Sequence, residues 1–197
     1  LMEQTAADSA KIREDLEHIS DVSYGPSVLE RLDIFPVENK GAPVAIYHHG
    51  GAWIRSSKDQ CSYAAPGLVA AGVNVLVLDF ALAPAVSLDE IVRQNRAAIA
   101  WTWHNAENYG WDRNQIHCIG HSSGGHICGM MQVQFLKIFP RVSNYIFSLV
   151  FRSHSHYSTL QSVDYETANF IKGRTINKRS CVIRPDTSVH LFFSPIT

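Results

Sequence analysis

Ser122 lies in the pentapeptide Gly120-His121-Ser122-Ser123-Gly124, a GxSxG arrangement whose spacing points to nucleophilic chemistry. A serine held between a strand and a helix must take a strained turn to expose its hydroxyl, and flanking glycines let neighbouring backbone pass close by. Such a hydroxyl is suited to attack on a carbonyl. The helix that follows would aim its free N–H groups at the reacting centre, and the Ser123 N–H would be one donor to the oxyanion. A second motif, His49-Gly50-Gly51-Ala52-Trp53, comes directly after the apolar run 43–47. A loop of this kind can supply the other oxyanion N–H, and a side chain at Gly50 or Gly51 would crowd the substrate carbonyl.

The surrounding pattern predicts the elements that must hold these groups. Residues 6–20 are polar and weakly helical, residues 28–37 alternate in part as a strand, and residues 43–47 form a strand that stops at the glycine turn. Residues 58–71 predict a helix ended by Gly72. The run VNVLVL at 73–78 suits a strand buried on both faces, as in a parallel sheet. Ser87 opens a long helix to about Tyr109, with Glu90 completing a capping-box pattern and Gly110 ending it. Leu88, Val92, Asn95, Ile99 and Thr102 follow helical spacing along it, Asn95 and Thr102 as polar interruptions. Residues 115–119 form another strand and 123–135 another helix. Alternation of this kind implies right-handed crossovers and an α/β fold, a mostly parallel sheet with helices on both faces. The length of 197 residues fits one domain over 1–197.

Four segments carry a family resemblance: HGGAW at 49–53, SKDQ at 57–60, VLDFALAP at 77–84 and GHSSGGH at 120–126. Together they resemble the kynurenine formamidases (arylformamidases), a branch of the α/β-hydrolase superfamily, over a family-like core of about 20–135. The resemblance implies an α/β-hydrolase fold with Ser122 as nucleophile and Gly50, Gly51 and Ser123 as the oxyanion hole. It also implies a small aryl formamide as substrate, the formyl amide of N-formylkynurenine in tryptophan breakdown. His49, Ala52 and Trp53 complete the HGGxW form; the lipase and esterase branch more often has a third glycine where Ala52 stands. A broad carboxylesterase would use the same chemistry, so that alternative stays open. Trp53, with Tyr47 and His48, either lines an aromatic-accepting pocket or packs in the core. Trp101 and Trp103 read as packing residues.

A serine nucleophile needs a base, and the base an orienting acid. In this fold the chain order is serine, acid, histidine. By order alone Asp164 or Asp186 would be the acid and His190 the base, although Asp186 and His190 stand only four residues apart, which is awkward for separate loops. His154 and His156 precede both aspartates. His121 is too near Ser122 in sequence to serve it, His126 would pack or orient the turn, and His104 and His117 read as structural. The sequence therefore assigns neither triad acid nor triad base.

The character of the chain changes near residue 136. Residues 1–135 hold nine Lys/Arg against fifteen Asp/Glu, and the remainder eight against three. A further strand is expected at 144–151, after which the β/α rhythm fades. Residues 136–197 thus read as a tail diverged or truncated relative to the family-like core. A core without its last strands would leave an open sheet edge and favour self-association, as in a homodimer. The reading from another class is an inactive member of the fold kept as a binding module.

Composition excludes other classes. A net charge of -1 and a pI of about 6.9 give no attraction for nucleic acid or an anionic membrane. Cys61, Cys118, Cys128 and Cys181 form no CxxC pair, which suits free thiols rather than zinc or redox motifs. Histidines such as His18 lack ligand spacing, so neither metal nor cofactor is expected and the partner is a small-molecule substrate. Residues 1–20 carry charges throughout, and no run approaches ~18 apolar residues. These features predict neither a secretory leader nor a membrane span, and so a cytoplasmic setting.

Overall fold

The computed structural model describes residues 2–138, 149–152, 182–184 and 188–191. Helix α1 (Met2–Asp15) precedes strands β1 (Ile19–Ser23), β2 (Arg31–Phe35) and β3 (Ala42–His48). Two 3-10 turns, Lys58–Gln60 and Ser62–Ala64, lead into α2 (Ala65–Ala70). Strand β4 (Asn74–Leu78), helix α3 (Leu88–Tyr109), strand β5 (Trp111–Gly120) and helix α4 (Ser123–Ile138) follow. The main sheet has the order β1-β2-β4-β3-β5, antiparallel from β1 to β4 and parallel across β4, β3 and β5.

Side-chain alternation sends each strand's apolar residues to two cores. Leu32, Ile34, Val44, Ile46, Leu76 and Leu78 pack with Ile91, Val92 and Ile99 of α3 and Ile127 and Met131 of α4. On the other face Phe35, Ala45, Tyr47, Val75 and Val77 pack with Leu68 of α2 and Ile12 of α1. Helices thus cover both faces. Burying one such aliphatic side chain stabilises the fold by about 1.5–3 kcal/mol, so the two clusters fix the sheet on which the site is built.

The structure departs from the sequence expectation at three places. The helix expected over 58–71 breaks into two 3-10 turns and the short α2. Pro66 explains this, because within a longer helix it would remove a hydrogen bond and clash with the preceding turn, whereas it is tolerated at the start of α2. Gly72, at φ 77°, does end α2. Residues 19 and 20, read as the end of a polar helical stretch over 6–20, instead open the edge strand β1, whose residues are mostly exposed and so lack an apolar signal. The strand expected at 28–37 is confined to β2. Farther on, β6 (Leu149–Arg152), β7 (Val182–Arg184) and β8 (Ser188–Leu191) make an antiparallel sheet of order β6-β8-β7. The strand expected at 144–151 is described from Leu149 onward, and the other tail residues lie outside the described set.

A buried ion-pair network ties α1 to β2 and to the turn after β3. Asp33 is fully buried on β2 and pairs with Arg13 of α1 and, at 3.2 Å, with the Lys58 ammonium. Lys58 also meets Asp21 and Asp59, each at 2.8 Å, and Asp33 accepts the Asp21 N–H at 2.9 Å. Removing one partner of a buried pair costs about 3–5 kcal/mol. Asp33→Ala is therefore expected to lower stability by about 3 kcal/mol, toward the low end because Lys58 and Arg13 keep Asp21 and Asp59. A denaturant midpoint equal to wild type would rule out a structural role for this network.

Candidate active site

Strand register decides where the site forms. In the parallel half of the sheet His48 pairs with Gly120, so β3 and β5 end side by side at the same height. The chain leaves β3 toward β4 on one side, and α3 then carries it back across to β5 on the other. A parallel sheet opens a crevice where connections diverge in this way. The loop 49–57 and the turn 120–123 both emerge into it.

Ser122 occupies the turn between β5 and α4 with φ 54°, a left-handed conformation that non-glycine residues seldom adopt. The turn closes through Gly124 N–H to the His121 carbonyl at 2.9 Å and Gly125 N–H to the Ser122 carbonyl at 3.0 Å. Glycine is needed at both flanks. A β-carbon at Gly120 would run into the Gly124 carbonyl, and one at Gly124 into the His48 carbonyl. The helix start thus lies directly on the ends of both strands. Ser123 is buried, and its N–H belongs to the first helical turn, which has no intrahelical acceptor.

The glycine loop covers this turn. A β-carbon at Gly50 would lie 2.8 Å from the His121 carbonyl oxygen, 3.0 Å from His121 Nδ1 and 3.3 Å from Ser122 Cβ. Gly50 therefore sits immediately over the serine turn. Gly51 has a different reason to be glycine. Its φ is 106°, and a side chain there would collide with the Arg55 carbonyl, so the loop's own closure excludes one. Ala52 and Trp53 continue at φ 54° and 62°. Ile54 N–H returns to the Gly51 carbonyl at 3.1 Å, and Trp53 N–H reaches the Ser123 hydroxyl at 3.4 Å.

The residues beneath the loop are core rather than pocket. Tyr47 is buried, its hydroxyl sharing a 2.9 Å hydrogen bond with that of Tyr63. His48 is fully buried, and its Nδ1–H donates to Asn95 Oδ1 at 2.7 Å. Asn95 in turn donates to the Ile91 carbonyl at 2.8 Å, so this polar interruption of α3 is a satisfied buried group. His49 Nδ1–H donates to the Gly50 carbonyl at 2.8 Å while its ring stacks on Phe80, with centroids 4.1 Å apart. Burial pushes both imidazoles down to about 4, so both are neutral at pH 7. Ala52 is exposed; Trp53 is half-buried against the first core, with its ring edge-on to the exposed His126 at 5.3 Å. His117 is buried, and His104 is exposed against Trp103.

Among the described residues none hydrogen-bonds the Ser122 hydroxyl. Asp164, Asp186, His154 and His156 lie outside them, and His190 is described only by its place in β8, opposite Val150 and Val182. Cys61, Cys118 and Cys128 are buried free thiols whose ionisation is pushed up by burial, Cys61 to about 11; Cys181 lies outside the described residues. Among the described residues no group of His, Cys, Asp or Glu is placed to hold a metal ion, and no helix is long and apolar enough to cross a membrane. Sequence reasoning passed over the segment after β4. Its only signal was the motif VLDFALAP, whose Phe80 now proves to support His49.

Comparison with known proteins places the chain in a family and a fold. The BD-FAE family model matches residues 32–144. Esterase LipC of Mycobacterium tuberculosis is 34% identical over 117 residues, which cover 57% of this chain and 29% of that protein. Kynurenine formamidase of Danio rerio is 28% identical over 123 residues, 61% of this chain and 41% of that protein. The chain thus spans well under half the length of these relatives. The crystal structure of esterase B from Lactobacillus rhamnosis superposes with a TM-score of 0.56 at 22% identity, covering 70% of this chain and 49% of that one. These neighbours carry the α/β-hydrolase fold.

Proposed function

This chain belongs to the BD-FAE family, and on that premise we propose that it is a serine hydrolase in which Ser122 attacks the carbonyl of a small aryl formamide. The observation that carries the reading is Gly50 seated over the left-handed Ser122 turn. In this reading Ser122 Oγ bonds to the formyl carbon, and the developing oxyanion is held by N–H groups of Gly50, Gly51 and Ser123. The amine leaves with a proton from the general base. Water then cleaves the formyl ester, releasing formate and restoring the serine. No described side chain is assigned as the base or its acid. N-formylkynurenine is the substrate we assign, supported by the Danio rerio kynurenine formamidase and by the HGGAW sequence at 49–53.

A second reading, a carboxylesterase of broad range, is favoured by the higher identity to LipC. The two are separated by comparing kcat/KM on N-formylkynurenine with that on an aryl acetate. The formamide is expected to lead by about tenfold or more, a difference of ~1.4 kcal/mol in transition-state binding. The reverse order would replace formamidase by esterase. Absence of turnover on both, with no fluorophosphonate adduct on Ser122, would overturn the hydrolase reading in favour of a non-catalytic binding fold.

A further inference from the structure

Residues 79–83, which leave the end of β4, touch the loop 49–58 at its start, middle and end. Phe80 stacks on His49 at the start. Ala83 N–H donates to the Trp53 carbonyl at 2.8 Å in the middle. Asp79 Oδ1 accepts the Lys58 N–H at 2.7 Å at the end. The third contact fills a vacancy in local structure. Lys58 opens a 3-10 turn after Ser57, and the Ser57 side chain makes no capping hydrogen bond, so an acceptor must come from elsewhere. Asp79 supplies it across 21 residues of sequence.

Between these contacts the loop is held by Ile54 N–H to the Gly51 carbonyl at 3.1 Å and Trp53 N–H to the Ser123 hydroxyl at 3.4 Å, against a strained backbone. Gly51, Ala52, Trp53 and Ser56 all have positive φ, three of them non-glycine residues that would relax if released. We propose that Asp79 is a positioning residue, whose carboxylate oxygen pins the far end of the 49–58 loop and so keeps the Gly50 and Gly51 N–H groups preset over Ser122. The inference rests on the proposed function for its catalytic consequence, but the loop anchoring stands on geometry alone.

The acceptor oxygen does the anchoring, and the negative charge is a cost. Asp79 is half-buried, and desolvation raises its carboxyl to about 6. The groups facing it include the Lys58 N–H and ammonium, which favour the charged form, and Asp59 and Asp33, which oppose it. The Tyr24 hydroxyl is spent on the Asp79 backbone carbonyl. An amide at position 79 keeps an acceptor without the charge. Asp79→Asn should therefore preserve the loop, and Asp79→Ala should release it.

The test is hydrogen–deuterium exchange of the full chain, comparing peptides covering 49–57 with peptides from β3 and β5. Asp79→Ala is expected to speed exchange in 49–57 by about tenfold or more, corresponding to ~1.4 kcal/mol of lost protection, while the strands keep wild-type rates. Asp79→Asn is expected to restore slow exchange. Where wild type turns over substrate, kcat should fall in the alanine variant and recover in the asparagine variant, with KM little changed. Loop exchange in Asp79→Ala equal to wild type would overturn the proposal, as would an asparagine variant as fast as the alanine one. Should the alanine variant fail to fold, the asparagine variant decides alone: fast loop exchange on intact strands overturns the anchoring. Because exchange needs no catalysis, an inactive wild type would refute the proposed function without touching this result.

Discussion

Ser122→Ala is expected to lower kcat by about 10,000-fold or more, with the fold unchanged. Loss of a serine nucleophile alone removes most of what its whole triad contributes, because nucleophile and base act as one unit. A residual rate above that in water should remain from the oxyanion donors and binding. The fold should survive because none of the described residues hydrogen-bonds the Ser122 hydroxyl, and alanine is a short side chain at the same φ of 54°. Circular dichroism and melting should match wild type, while the fluorophosphonate adduct seen by intact mass disappears. A variant that still labels or still turns over would remove Ser122 from the chemistry.

Gly50→Ala is the second large effect, and its cause is steric. Gly50 is not among the residues with positive φ, so its backbone accepts alanine. The added methyl would meet the His121 carbonyl at 2.8 Å and Ser122 Cβ at 3.3 Å. The loop must then lift from the serine turn, and the N–H groups above it lose their aim. Loss of one oxyanion donor costs about 100- to 1,000-fold in kcat, or ~3–4 kcal/mol, and that range is expected here. The added methyl meets the serine turn and not the side chains of either core, so stability should fall by no more than the ~1–3 kcal/mol of ordinary overpacking. Gly51→Ala should behave differently, costing loop stability first, because its methyl collides with the Arg55 carbonyl at a φ of 106°. A Gly50→Ala enzyme with wild-type kcat would show that the loop does not contribute to the transition state.

The parts of the fold legible in sequence were those with a strong local signal. Residues 73–78 read as a doubly buried strand because the run is nearly all apolar, with Asn74 the one polar residue, and β4 lies there between β2 and β3. The long helix was marked by Ser87 and Gly110: the Ser87 hydroxyl accepts the Glu90 N–H at 3.2 Å, and Gly110 adopts φ 72°. The capping box is half-formed, since Glu90 turns instead to Arg93 and Gln94. Strand β1 was invisible because an exposed edge strand needs no apolar alternation. The two roles offered for Tyr47 and His48, pocket or core, could not be separated without knowing which way the strand faces. Burial assigns both to the core.

By itself the sequence determined the motifs and their local geometry. GxSxG and HGG demand particular backbone turns, since only glycine fits where one chain segment crosses another, and each motif sat at the end of an apolar run that had to be a strand. Tertiary structure alone decided that the two turns meet. The register pairing His48 with Gly120 brings segments about seventy residues apart to the same edge, and pairing between parallel strands depends on a crossover that leaves no local mark. The same holds for Asp79, which in the sequence only follows the apolar run 73–78 and in the fold caps a turn. A hydrogen bond between residues 58 and 79 exists only once the sheet has placed β4 beside β3, because its direction is set by packing and not by neighbours along the chain.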